Sequence, residues 1–331
     1  RQHLLSKIQA KVLRLQDQFD SIYLDVIKAL ARHHIFLINE DQLTESQGVW
    51  LSQYFRNKIL RFIAPIIINE NMDISKVLKD DLTYLITEMR HGETVRYSAI
   101  EVPTQDAPRF VRLPKEKGIK RKNIILLDNI IRYCIDDVYR PFFEYESCRS
   151  YSMKLTCDAD YGLADDIDQS FVEQMSEGLK QRLTAAPVRF VYDREMPASM
   201  VEKLQQRLGL TTLDSIVPGG RYHNFRDFIQ FPNVGRSYLE YKKLPALNAA
   251  NFDCHRNVFD AISDGDILLH FPYHKFKYVT EFLRQSAFDP AVREIKISVY
   301  RLAKNSRIVK SLIDAVAVSY THLTLPTSPK V

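Results

Sequence analysis

The chain has four cysteines in 331 residues, and no two of them form a CxxC pair. Cys134, Cys148, Cys157 and Cys254 stand far apart, which excludes zinc-ribbon spacing and favours reduced thiols over a disulfide framework. Long apolar runs are also missing. The longest, Phe62 to Ile68, is interrupted by Pro65 and falls far short of the ~20 residues that span a bilayer. No basic and apolar leader is legible at the start, so secretion is not expected. His255, His270 and His274 lack metal-ligand spacing with carboxylates or cysteines, and no metal cage is assigned. A nucleophile elbow, an HExxH pair and a dinucleotide fingerprint are likewise absent. Neither sign of charge dominates: 46 Lys and Arg against 41 Asp and Glu leave a net +5. That mild excess suits a polyanionic ligand without naming one.

What is present is ordinary for a soluble globular protein, with 45% hydrophobic and 26% charged residues. The length predicts two or more compact units. Leu5, Ile8, Val12, Leu15, Phe19, Ile22, Val26 and Leu30 recur at steps of three and four, so a long amphipathic helix is expected to end near Arg32. A helix of that length needs a partner surface. Arg1 is not a Met and the helix period is already running by Leu4, so the N-terminus is expected to be cut.

A second helix is expected from Glu45 to Phe62, stopped by Pro65. Strand-like runs follow at Thr83–Glu88, Arg96–Val102, Phe110–Leu113 and Asn123–Leu127. A helix capped by Asp128 is read up to Phe142, then a strand at Ser150–Thr156, a helix at Asp165–Leu183 and a strand at Val188–Tyr192. The helix Pro197–Leu208 closes on Gly209. This irregular mixture predicts an α+β domain over 33–247, and Leu244–Asn251 reads as a linker. Beyond it the rhythm is strand (Asp266–His270), helix from Pro272, strand (Val292–Tyr300), and a helix capped by Ser306. That is the opening of a parallel α/β sheet, and two strands do not complete one, so the C-terminus is expected to be cut too. From Val318 the chain shows no helix or strand period, and 318–331 is read as a non-native read-through tail.

Two patches carry candidate chemistry. In PGGRYHNFRDF (218–228), Gly219 and Gly220 bring backbone close to a ligand, while Arg221, His223, Asn224 and Arg226 offer donors to phosphate oxygens. The competing reading is a structural turn with a solvated face, and the lysine and serine of a P-loop are missing. Arg301 ends the strand Val292–Tyr300, where open α/β sheets collect ligands. Lys304 lies beside the next helix N-terminus, which favours anions. A surface loop is the alternative there. Lys115–Lys122 holds five basic residues in eight and reads as a solvated loop.

Six ordered blocks resemble the long, phospholipase-D-like polyphosphate kinase family, its gammaproteobacterial branch above all: FLINEDQL (36–43), LLDNIIRYCIDDV (126–138), YSMKLTCDADYGL (151–163), SIVPGGRYHNFRDF (215–228), DILLHFPYHKF (266–276) and IKISVYRLAKNSRIVKSLI (295–313). The resemblance implies a fold in three pieces. Residues 1–32 would be a remnant of a helical N-terminal domain, 33–247 an α+β middle domain used in dimerisation, and 248–317 the start of a phospholipase-D-like α/β catalytic domain.

It also implies a reaction, with Mg²⁺, that moves the terminal phosphoryl group of ATP onto a histidine and then onto polyphosphate, reversibly toward ADP. That histidine lies in an HxK motif, and none of the nine histidines is followed two residues later by Lys, so this piece alone is expected to be inactive. Of the family's functional residues only Arg301 falls within the chain. Its guanidinium cannot ligate Mg²⁺ and is read as neutralising phosphate oxygens in the metal's neighbourhood. Lys304, Arg221 and His223 are lesser candidates for the same anion. Cys157 stands where the family pattern leads one to expect arginine. A homo-oligomer, no nucleic-acid partner and a cytoplasmic location, with peripheral inner-membrane attachment left open, complete the expectations. Another phospholipase-D-like phosphodiester enzyme, or a non-catalytic dimerising and polyanion-binding module, remain the alternatives.

Overall fold

The computed structural model describes residues 2–69, 72–80, 82–115, 118, 120–157, 187–210, 215–297, 306–317 and 322–324. They fall into two units, Arg1–Arg236 and Ser237–Val331.

The first unit opens with α1 (Gln2–Arg32), which ends where its apolar period predicts, although Ile8, Leu15, Ile22 and Val26 of the expected stripe are exposed. Phe19 and Tyr23 meet Phe225 edge-on, with ring centroids 4.7 and 5.0 Å apart. Behind α1 lie two sheets. A three-stranded one runs β1 (Ile35–Ile38), β6 (Lys122–Leu126), β5 (Phe110–Arg112). A six-stranded one has the order β2 (Ile66–Ile68), β4 (Thr94–Glu101), β3 (Thr83–His91), β7 (Ser147–Cys157), β8 (Pro187–Asp193), β9 (Ser215–Gly219). Pairings in the larger sheet are antiparallel except β8 with β9; in the smaller one β1 and β6 are parallel.

Strand β3 shows why the larger sheet sits where it does. Side chains alternate across a strand, and here both faces are apolar. Leu85 and Met89 join one core with Leu51, Phe55, Ile59, Ile100, Ile125 and Ile130. Tyr84 and Ile86 join another with Met153, Phe190, Met200 and Leu204. Helix α2 (Glu45–Tyr54) feeds the first core, with Thr44 as its N-cap accepting from the Gln47 N–H and Gln47 returning a bond to the Thr44 N–H. The chain continues to Phe62 as a wider and then a tighter turn, so the predicted span holds although its winding changes. The second core is sealed by α5 (Ala198–Arg207), which ends on Gly209 at φ +65°, the left-handed position glycine fills without penalty.

Between β6 and β7 run α3 (Leu127–Tyr133) and α4 (Ile135–Tyr139). The second unit holds α6 (Ala250–Asp253), α7 (Val258–Ser263), α8 (Lys277–Phe288), β10 (Glu294–Lys296), α9 (Arg307–Ala317) and β11 (His322–Thr324). Leu283, Ala287, Ile295 and Leu312 form its core.

Several expectations are corrected. The single helix from Asp128 to Phe142 is two short ones, and the N-cap of α3 is Leu126, without a side-chain cap; Asp128 is held by arginine instead. Asp266–His270 is no strand. Leu268 is 90% exposed, and an apolar run without a neighbouring strand has no ladder to join. Helix α8 starts at Lys277 rather than Pro272. Strands β1, β2 and β9 are additions to the sequence reading. The last strand, β11, falls inside the segment read as lacking any period, and it pairs in parallel with β10. The helix expected over Asp165–Leu183 lies outside the described residues.

Candidate functional site

Four strand ends converge on one buried polar knot in the first unit. Glu40 follows β1, Asp128 follows β6, Asp193 ends β8, and Arg221 comes two residues after β9. All four are carboxyl ends, and each strand belongs to one of the two parallel pairs. Parallel strands present their carboxyl ends to the same side, the reason ligands collect at such ends in open α/β sheets.

Arg109, just before β5, joins the knot from the side. Its Nη1 lies 2.7 Å from Asp128 Oδ2, with both side chains essentially out of water. Its Nε is 3.6 Å from Asp227 Oδ2, and its Nη2 donates to the His223 carbonyl at 3.2 Å. One turn along α3 from Asp128, Arg132 reaches Asp193 at 3.8 Å. Arg221 pairs with Glu40. Asn129 donates to the Tyr222 hydroxyl at 2.9 Å. Ser152 donates to the Arg221 carbonyl at 2.6 Å, and Lys154 donates to Asn224 Oδ1 at 2.7 Å. The segment 218–228 is thereby stitched to both sheets.

Burial dominates the electrostatics. Loss of water pushes the Arg132 guanidinium down, and Arg221 adds to that, against the carboxylates of Asp128, Glu40 and Asp193. For Arg221, burial is the largest single influence and pulls down, but Glu40, Tyr222 and Asp193 together outweigh it, and the net shift is upward. Burial pushes Asp227 up and Tyr222 up. It drives His223 down to about 4, so this ring is neutral at pH 7. His223 Nε2 has no hydrogen-bond partner among the described residues.

Chemically, the knot is paired in charge, while Arg132 Nε, Arg221 Nε and Glu40 Oε2 find no hydrogen-bond partner among the described residues. Three arginines face four carboxylates, and each arginine has its own acid, so an incoming phosphate would have to displace one. A buried ion pair is expensive to break. Of the residues singled out from sequence as phosphate donors, Arg221 pairs with Glu40 and His223 is buried with Nε2 unpartnered among the described residues. Arg109, Asp193 and Glu40 were missed by sequence reasoning. A signal did exist for α3: Asp128 and Arg132 are the two charges flanking an apolar pair four residues apart in LLDNIIRYCI. Arg301 and Lys304 lie outside the described residues. Among the described residues no group of three or more His, Cys, Asp or Glu could hold a metal ion.

A family model described as the polyphosphate kinase middle domain matches residues 46–231, more than half of the chain. The chain belongs to the polyphosphate kinase family. A second model, polyphosphate kinase C-terminal domain 1, matches residues 257–322. A polyphosphate kinase of Vibrio vulnificus is 52% identical over 314 residues, covering 95% of this chain and 45% of that protein. One from Escherichia coli K12 is 52% identical over 315 residues, covering 95% of this chain and 46% of that protein. The chain thus spans a little under half the length of the relatives it matches. A crystal structure of polyphosphate kinase from Porphyromonas gingivalis shares the fold, with a TM-score of 0.70 at 23% identity over 98% of this chain and 51% of that one. The mixed α+β and α/β architecture read from the sequence of this polyphosphate kinase segment agrees with it. No helix among the described residues is long and apolar enough to cross a membrane.

Proposed function

We propose that this chain is part of an ATP–polyphosphate phosphotransferase. The whole protein transfers the terminal phosphoryl group of ATP to a histidine, then to inorganic polyphosphate, and runs the steps backward onto ADP. The observation that carries this reading is the order of the two matched domains, 46–231 then 257–322, at 52% identity to proteins named polyphosphate kinase. Splitting one phosphoryl transfer through a covalent intermediate needs an activated nucleophile. No HxK motif occurs in this chain, so the chain by itself contributes scaffold and phosphate contacts, not the nucleophile.

Arg301 and Lys304 are the phosphate contacts in this proposal. What supports the placement is local order: β10 runs to Lys296 and α9 begins at Arg307. In sequence, Arg301 lies between these two elements. A planar guanidinium there binds two phosphate oxygens at once and stays charged at any working pH. Mg²⁺ enters with the nucleotide, and the described residues offer it no carboxylate cage. A cytoplasmic homo-oligomer completes the proposal.

The deciding experiment is synthesis of polyphosphate from ATP by the full-length protein, run beside the 331-residue chain. Polymer from the full-length protein and none from the chain is the expected result. Acid-labile, base-stable label transferred from γ-labelled ATP to the chain would refute the division of roles.

A further inference from the structure

The second unit holds a nucleophile, a base and an acid in contact. Helix α6 ends at Asp253 and its C-cap is Cys254. His255 follows, and its two ring nitrogens are both occupied. Nδ1 lies 2.9 Å from the Asn251 carbonyl and 3.1 Å from Cys254 Sγ. Nε2 lies 2.6 Å from Asp264 Oδ2, just past α7. A carbonyl and a carboxylate accept, so these two partners suit a ring that donates from both nitrogens, the imidazolium form. The hydrogen bond to the Asp264 carboxylate leads in raising the His255 pKa, followed by that to the Asn251 carbonyl.

The thiol of Cys254 is exposed. In its neutral form it lies 3.7 Å from the Asn251 carbonyl and 3.1 Å from His255 Nδ1. Ionised, the sulfur accepts from the Nδ1–H at 3.1 Å, an arrangement that favours thiolate beside a fixed cation. The other charges nearby do not oppose this strongly. Asp260 on α7 reinforces the imidazolium, while Asp253 is tied to the Tyr278 hydroxyl at 2.9 Å and lies 3.6 Å from Lys277 Nζ. Arg256 follows in the chain and adds positive charge. The frame is held in place: the Ala249 N–H donates to the Tyr278 hydroxyl at 2.9 Å, and the Tyr278 ring stacks on Phe252 with centroids 4.8 Å apart.

We propose that Cys254, His255 and Asp264 form an activated-thiol site whose substrate class is small hydroperoxides. The thiolate attacks one peroxide oxygen and forms an S–O bond as the O–O bond breaks. The leaving hydroxide takes the Nδ1 proton of His255 and departs as water. Sulfur is oxidised to sulfenic acid, the peroxide is reduced, and the imidazole is left neutral, still held by Asp264. Nucleophile, proton donor and orienting carboxylate are thus in successive contact. The other three cysteines serve as internal controls. Cys134 is buried, and Cys148 and Cys157 are half-buried, with burial pushing all three thiols up.

The test uses the full-length protein, hydrogen peroxide and a sulfenic-acid trap, with the Cys254 peptide followed by mass spectrometry. A parallel series measures alkylation by iodoacetamide. Cys254 is expected to be alkylated, and to be trapped as sulfenic acid, at least ~10-fold faster than Cys157. His255→Gln and the milder Asp264→Asn should each lower the trapping rate at Cys254 about tenfold. Equal trapping at Cys254 and Cys157 overturns the proposal. So does a trapping rate that neither variant lowers.

Discussion

Arg109 and Asp128 meet 2.7 Å apart where neither side chain touches water, and they come from opposite ends of a hairpin-like excursion between β5 and α3. The pair joins the sheet edge to the helix that follows β6. Removing one partner leaves the other charged and buried, at a cost of about 3–5 kcal/mol. Asp128→Ala should therefore lower the urea midpoint strongly. Replacing both, Arg109→Met with Asp128→Leu, should recover much of that loss, with a remainder because Asp227 then loses Arg109 as well. Equilibrium unfolding of wild type and the two variants checks this, and a double variant as weak as the single one would contradict it.

His223 makes stability depend on acidity. Its folded value is held near 4 by burial, against ~6.5 in an unfolded chain. The unfolded state therefore takes up the proton first as pH falls. The contribution is fully present above pH ~6.5 and is lost as pH falls through ~4, amounting to about 3 kcal/mol at ~1.4 kcal/mol per unit. Across that window His223→Gln should show a shallower fall of the melting temperature than wild type. Parallel curves would show that the ring titrates alike in both states.

For Arg301, the full-length enzyme should tolerate Arg301→Ala and Arg301→Lys without loss of folding. An arginine on transferring phosphate can contribute ~10³–10⁵ in rate, so Arg301→Ala is expected to lose at least ~10²-fold. Lysine should restore part, since it cannot grip two oxygens at once. Wild-type turnover in Arg301→Ala would remove the residue from the proposed site.

At Gly209 the backbone sits at φ +65° with nothing within 4 Å of where a Cβ would lie. Strain without a clash makes this a clean measure of the left-handed cost, ~1–2 kcal/mol for a side chain. Gly209→Ala should destabilise by about that amount, Gly209→Asn by less, as read from thermal unfolding.

Much of the fold was legible because local period and burial agree. The alternation in β7 and the glycine after α5 each follow from side chains a few residues apart; the period of α1 marks its helix, but Ile8, Leu15, Ile22 and Val26 of the expected stripe are exposed. Strands β1 and β2 escaped notice since three or four apolar residues carry no measurable period. The error at Asp128 is instructive. A carboxylate after a strand and before a helix is a good N-cap by local rules, but Arg109, brought alongside by the β5–β6 pairing, binds it more strongly than a backbone N–H would. Asp266–His270 failed for the opposite reason, since its apolar residues found no strand to pair with.

The sequence by itself determined family, the order of elements and the absence of an HxK nucleophile from this chain, because these depend on residue identity and short-range spacing. Only the tertiary structure decided which charges share a buried site. Glu40 with Arg221 and Arg132 with Asp193 are pairs separated by 181 and 61 positions (221 − 40 and 193 − 132). Their meeting is set by strand register and by two parallel pairs pointing their carboxyl ends the same way. An ion pair across such distances leaves no local pattern; it exists because burial makes any lone charge too costly to keep.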